Sequence, residues 1–201
     1  MSNNKVIDIY RNRERNVINI VSYSKYVKYT GAPEAATHPR RVSKLCEAIG
    51  IAMGLSQPEV NKLRISGLLH DIGKNSIDNR IINKAGPLTE QEWNQIKMHS
   101  TTGYRILNSS QKTKEIARFV LYHHERFDGR GYPAGLVGEQ IPLFSRIIAV
   151  ADAYDAMTNQ RSYKKSLNKY EAVQELIKNK GKQFDPNIVD IFIEKVLCSR
   201  R

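Results

Sequence analysis

The 201-residue sequence predicts an all-α protein, a helical bundle of the kind that carries one long irregular loop. Three observations predict it. Apolar residues recur at helical spacing almost throughout, and no alternating strand run interrupts them. Capping and proline signals open helices at intervals along the chain. Residues 128–138, DGRGYPAGLVG, concentrate glycine and proline in a single stretch that cannot continue a helix.

The elements follow in order. Residues 16–29 carry a loose apolar stripe of Val17, Ile20, Val21, Tyr26 and Val27, and Thr30-Gly31-Ala32-Pro33 punctuates the chain after it. A second helix is expected over 39–53, with Val42, Leu45, Cys46 and Ile49 at core spacing. Pro58 opens a third, carrying Leu63, Leu68, Leu69 and Ile72, with Gly73 as its natural stop. Thr89 and Glu92 form a capping box for a helix running towards His99. Another helix spans 113–125 with Ile116, Val120 and Leu121 inward. After the loop comes a long apolar helix over 142–157. Asn168 with Glu171 caps a further helix ending at Gly181, and Pro186 starts the last one. The expected division is a helical N-terminal extension, residues 1–33, and one domain over residues 34–201.

Composition bounds the function. Hydrophobic content of 40% and charged content of 26% are ordinary for a globular protein. No apolar run is long enough to span a bilayer, and the N-terminus lacks a signal-peptide core. Cys46 and Cys198 lie far apart and read as reduced thiols. A cytoplasmic location with no membrane partner is the expectation. The net charge of +12 favours a polyanionic or phosphorylated partner, although it is spread along the chain as on any solvated basic surface.

The histidines carry the chemistry. There are five, His38, His70, His99, His123 and His124. His70 is followed by Asp71, the His123-His124 pair by Glu125, and Asp152 interrupts the apolar run 147–153. Each has an ordinary explanation alone: a helix-end cap, a polar helix face, a buried carboxylate paired with arginine. An unpartnered carboxylate in a core helix is costly, however, and one metal cluster accounts for all of these groups together. Imidazole with carboxylate suits iron, manganese, zinc or nickel, and the lack of nearby cysteines disfavours structural zinc.

In these segments the sequence resembles the HD-GYP family of metal-dependent phosphodiesterases. Leu69-His70-Asp71-Ile72-Gly73-Lys74 is similar to the HD signature. His123-His124-Glu125-Arg126-Phe127-Asp128-Gly129-Arg130-Gly131-Tyr132-Pro133 is similar to the HHE…GYP signature. Residues 147–155, IIAVADAYD, and Arg161-Ser162-Tyr163-Lys164 resemble the later part of the pattern. The likeness covers roughly residues 34–189, and every histidine falls on a family ligand position.

The resemblance implies hydrolysis of cyclic di-GMP, a bacterial signalling molecule, to pGpG or GMP, with a metal-bridging hydroxide as nucleophile. It implies two or three divalent metals, iron or manganese, held by His38, His70, Asp71, His99, His123, His124 and Asp152, with Asp71 shared between two of them. Glu34 is the family position for a third metal. Lys74 would hold the scissile phosphate, although a lysine at a helix C-terminus is also favoured there by the helix dipole. Arg161 and Lys164 would bind guanine and phosphate, and Tyr132 would lie near the substrate. Asp155, three residues after Asp152, would orient a ligand or a lysine.

Locally, Pro39 disfavours helical geometry at His38, so His38 is expected close to an N-cap and Glu34 off its helical face. The N-terminal helix is the candidate surface for a second copy of the chain, and the resemblance implies a diguanylate cyclase or other signalling partner through the GYP loop. The expectation is a chain without a sensor domain. Two alternatives stand beside the main reading. One is hydrolysis of another cyclic dinucleotide such as cyclic GMP-AMP. The other is a non-catalytic adaptor using the GYP loop, for which a complete ligand set would be superfluous. Nucleic-acid polymer is not the expected partner, because it would account for the charge and not for the histidines.

Overall fold

In the computed structural model, residues 33–159 and 166–198 are described, with side chains from residue 38 onward. Among them there is no strand, only two isolated bridges, and the fold is helical as the apolar spacing predicts. Helix α1 spans Pro33–Ala52, α2 Gln57–Leu69, α3 Asn79–Ile82, α4 Glu90–Asn108, α5 Lys114–Leu121, α6 Leu143–Thr158, α7 Lys169–Lys178 and α8 Pro186–Ile191. A 3-10 turn, Ile72–Ser76, follows α2, and a π-helical turn, Phe192–Leu197, closes the chain after α8. Residues 1–32 and 160–165, and with them the predicted 16–29 helix and its dimer role, lie outside the described residues.

The capping signals work as read. The Thr89 hydroxyl accepts from Glu92 N at 3.2 Å while Thr89 N donates to the Glu92 carboxylate at 2.7 Å. Asn168 and Glu171 make the same reciprocal pair at 2.9 and 2.8 Å. Each box satisfies N–H groups that the first turn of a helix leaves orphaned.

Two apolar clusters hold the helices together, and α2 contributes to both. One gathers Val42, Cys46 and Ile49 from α1, Leu63 from α2, Ile147, Ile148, Val150 and Ala151 from α6, Leu176 from α7 and Phe192 from the last turn. The other packs Ile65, Leu68 and Leu69 of α2 against Leu107 of α4 and Ile116, Ala117 and Val120 of α5. The C-terminal end of α2, where His70 and Asp71 sit, is thereby fixed between them.

Three local expectations are corrected. Helix α1 begins at Pro33 and continues through Pro39, which is buried inside it. His38 is therefore helical rather than a cap, and Glu34 lies four residues before it on the same helix. An interior proline costs a helix one hydrogen bond, on the order of 3 kcal/mol; here tertiary contacts to His38 outweigh that local preference. Second, α5 ends at Leu121, so His123, His124 and Glu125 occupy a turn beyond it. Third, Gly73 does not stop α2, which ends at Leu69; it lies in the 3-10 turn, pressed against α4. A Cβ there would fall 1.9 Å from the His99 carbonyl oxygen, so only glycine permits the approach.

Candidate metal centre

All five histidines and both motif aspartates converge on one place. His38 comes from α1, His70 and Asp71 from the end of α2, His99 from α4, His123 and His124 from the turn after α5, and Asp152 from α6. On a helix, adjacent residues diverge by about 100°. Because α5 has already ended, the His123 and His124 rings instead lie together, their centroids 4.0 Å apart.

The donor atoms form two groups that share one residue. Asp71, His99, His123 and His124 bring ligand atoms within 4.8 Å of one another, and so do His38, His70 and Asp71. Asp71 Oδ1 lies 3.4 Å from His99 Nε2, whereas Oδ2 lies 3.3 Å from His70 Nε2 and 3.9 Å from His38 Nε2. One carboxylate oxygen thus faces each group. Asp152 joins the second, with Oδ1 at 3.2 Å from His38 Nε2 and 3.8 Å from His70 Nε2.

Hydrogen bonds on the far side of each ring aim the inward nitrogen. His70 Nδ1 donates to the Gly67 carbonyl at 2.8 Å, His99 Nδ1 to that of Ile96 at 2.5 Å, and His123 Nδ1 to that of Val120 at 2.6 Å. A carbonyl only accepts, so each Nδ1 carries the proton and each Nε2 of the neutral ring presents a lone pair. His38 Nδ1 is held by the Asp155 carboxylate instead, at 2.6 Å. Asp155 is buried and is gripped from its other side by Arg41, Nε at 2.6 Å and Nη2 at 2.9 Å, and by Asn159 at 3.0 Å. It orients His38 rather than a lysine.

The charge states suit a cation. Burial pushes His99 down and His123 well below the ordinary histidine range, the latter helped by repulsion from His124; burial likewise takes His124 to about 3. Burial opposes ionisation of Asp71 and Asp152, yet Lys74, His70 and His99 hold the former low, and His38 and His70 the latter. His38 is the exception: burial would lower it too, but its contacts with Asp152, Asp155 and Asp71 lift it to about 9, so it must release a proton to bind a metal.

Two observations test the fit to metal. His70 Nε2 and Asp71 Oδ1 are buried with no hydrogen-bond partner, a costly arrangement for polar atoms unless something binds them. His99 Nε2 and His123 Nε2 face each other at 3.3 Å with both Nδ1 protons committed elsewhere. Two lone pairs so placed repel unless a cation sits between or beside them. Neutral imidazoles with ionised carboxylates are the donor set of a divalent transition-metal site.

Around the rim, Lys74 Nζ contacts Asp71 Oδ2 at 2.7 Å and is partly exposed. The Tyr132 ring lies 5.0 Å from His124, and burial raises its hydroxyl above the ordinary tyrosine range. Arg161 and Lys164 lie outside the described residues, as does the Glu34 side chain. Sequence reasoning gave no role to Arg41 or Glu125. No signal in the sequence ties Arg41 to Asp155, which meets it only through the packing of α1 on α6. Glu125 was signalled by an acid placed just before a glycine-rich loop full of spare N–H groups.

The model of the HD domain family matches residues 30–188. The chain belongs to the HD domain family. Among curated HD-domain relatives, it is 42% identical over 155 residues to the "Cyclic di-GMP phosphodiesterase response regulator RpfG" of Xanthomonas campestris, covering 76% of this chain and 41% of that protein. It is 40% identical over 163 residues to the "Cyclic di-GMP phosphodiesterase" of Thermotoga maritima, 80% of this chain and 44% of that one. It is 38% identical over 166 residues to the "3'3'-cGAMP-specific phosphodiesterase 2" of Vibrio cholerae, 80% of this chain and 31% of that one. The chain therefore spans less than half the length of these relatives. Its HD fold is shared with a Listeria monocytogenes phosphodiesterase PgpH HD domain solved with cyclic-di-AMP, at TM-score 0.65 and 20% identity over 88% of this chain and 94% of that one. It is shared too with a cyclic GMP-AMP phosphodiesterase structure from V. cholerae, at TM-score 0.64 and 23% identity over 90% of this chain and 48% of that one. No helix among the described residues is long and apolar enough to cross a membrane.

Proposed function

We propose that this HD domain is a metal-dependent phosphodiesterase of the HD-GYP branch that hydrolyses cyclic di-GMP. The observation that carries the reading is the pair of donor groups sharing Asp71, each facing one of its oxygens. His99, His123 and His124 with Asp71 would hold one ion, and His38, His70 and Asp152 with Asp71 the other. The donor set admits iron, manganese, zinc or nickel, and the resemblance favours iron or manganese among them. Bound there, such ions supply hydroxide at neutral pH and neutralise charge on the phosphate.

The chain's own residues do the rest. The carbonyls of Gly67, Ile96 and Val120 and the Asp155 carboxylate fix the four imidazoles by hydrogen bonds to Nδ1. Lys74, at the rim beside Asp71, places a cation where a phosphodiester oxygen must approach. Tyr132 forms a wall against His124 on which a purine can lie. Arg161 and Lys164 are assigned to guanine and phosphate on the R-x-Y-K pattern. Glu34, one helical turn before His38 on α1, is assigned to a third ion that would favour the second cleavage, from pGpG to GMP. Under this reading Glu34→Ala accumulates pGpG and carries one metal fewer than the unaltered protein.

A second reading is favoured by a specific observation: several relatives of similar identity are named for 3'3'-cGAMP. A panel of cyclic di-GMP, 3'3'-cGAMP, cyclic di-AMP and linear pGpG, assayed with Mn²⁺ and with Fe²⁺, separates the two. Faster turnover of cyclic di-GMP supports the first reading, and faster turnover of 3'3'-cGAMP replaces it with the second. No turnover of any cyclic dinucleotide with either metal overturns both.

A further inference from the structure

We infer that Glu125 is a positioning residue that clamps the loop over the metal centre, keeping Tyr132 fixed against His124 as one wall of the substrate site. The inference rests on the proposed cyclic-dinucleotide activity and assigns that site a specificity device.

Glu125 immediately follows the two histidines and is itself buried, yet it faces away from them in hydrogen bonding. Its Oε1 accepts from Ala134 N at 2.6 Å and Gly135 N at 3.1 Å, and its Oε2 from Leu136 N at 3.2 Å. Three consecutive amides thus converge on one carboxylate. A carboxylate binding several N–H groups makes strong, charge-assisted hydrogen bonds. Removing it would leave three amides to find new partners, so the loop would not stay where it is.

The loop is also pressed onto the backbone of the histidine turn. A Cβ at Gly131 would lie 2.3 Å from Arg126 N and 2.5 Å from the Glu125 Cα, so the chain crosses there in direct contact. Tyr132, the next residue, donates its N–H to the His124 carbonyl at 3.3 Å and lays its ring over the His124 ring. Glu125 therefore stands between two partners. Its backbone belongs to the turn that supplies two donor histidines, and its side chain grips the far limb of the loop whose near limb carries Tyr132. Holding 134–136 against 125 leaves 131–133 no freedom to lift away.

The backbone bonds on the near limb and the carbonyl contact behind His123 do not involve the Glu125 carboxylate. Loss of that carboxylate is accordingly expected to free the loop while leaving the metal donors in place. A small phosphodiester that touches only the metal centre should be cleaved as before, whereas a cyclic dinucleotide, large enough to meet Tyr132, should bind more weakly.

The test compares Glu125→Gln and Glu125→Ala with the unaltered chain, each loaded with Mn²⁺. Gln keeps the shape and one acceptor oxygen but turns an NH2 towards an amide N–H; Ala removes all three bonds. The expected result is KM for the cyclic dinucleotide raised about tenfold in Gln and further in Ala, since the lost bonds are to a charged group. kcat/KM for bis(p-nitrophenyl) phosphate and metal content should hold, and tryptic cleavage at Arg126 and Arg130 should accelerate in the same order. Equal KM values together with equal cleavage rates overturn the inference. Loss of metal with parallel loss of both activities overturns it too, because Glu125 would then be supporting the donors rather than the loop. An unaltered chain that cleaves the small diester and no cyclic dinucleotide overturns the substrate reading alone; the clamp is then upheld by faster tryptic cleavage in the variants and overturned by an equal rate.

Discussion

Asp71 and Asp155 do different work for the same histidines. Asp71 faces both donor groups, so Asp71→Ala should lose more metal than any single His→Ala while the helices persist; metal analysis beside circular dichroism measures this, and full metal content in the variant would remove its shared role. Of the five histidines Asp155 bonds His38, through a 2.6 Å contact to Nδ1. Substituting residues that orient metal-ligating histidines typically weakens metal affinity about 10–100-fold. Asp155→Asn is therefore expected to weaken the His38 group and leave the His99 group filled, so that metal is lost on dialysis from the former and kept by the latter. Uniform retention, or loss from both groups, would contradict that assignment. The motif residues were legible because their spacing is distinctive. The orienting partners were less so: Asp155 could be placed on the face of Asp152 from the i, i+3 spacing, but whether it met a histidine or a lysine depended on α1, more than a hundred residues away.

Elements decide how closely the donors can assemble. The 3-10 turn after α2 abuts α4 so tightly at Gly73 that a methyl group would collide with the His99 backbone. Backbone cannot yield as a flexible side-chain end can, so Gly73→Ala is expected to cost about 3 kcal/mol, the upper end of ordinary overpacking, and to displace His99. Denaturant unfolding and metal titration check the two effects together; a variant of unchanged stability that binds metal normally would show that the turn relaxes freely. In the sequence Gly73 looked like a helix stop, because glycine signals both an end and a close approach. The same ambiguity applied to Pro39, which reads as a helix start and instead lies within α1. For the paired histidines, apolar spacing extended α5 to residue 125, whereas the helix ends at Leu121. Periodicity identifies helices well and their last turn poorly, since the terminal carbonyls can be satisfied by many partners.

At the scale of the whole molecule, the donors tie together α1, α2, α4, the turn after α5, and α6. Ions that bind only the folded chain stabilise it by mass action, about 2.7 kcal/mol at a hundredfold excess over Kd. For a domain of this size that corresponds to a fall in Tm of roughly 5–10 °C on adding a chelator. Calorimetry with and without EDTA, followed by readdition of Mn²⁺, measures it; an unchanged Tm would argue against a metal linking these helices.

The sequence by itself determined the helical class, the capped starts of α4 and α7, and the set of histidines and aspartates that belong together. Those depend on local chemistry: periodicity, capping stereochemistry, and residue types whose burial makes sense only with a common partner. The tertiary structure alone decided which oxygen of Asp71 faces which histidines, that Asp155 reaches His38, and that Glu125 turns outward to clamp the loop. Each depends on the relative placement of segments far apart in the chain. That placement is fixed by the two cores packed on either side of α2, which local spacing does not record.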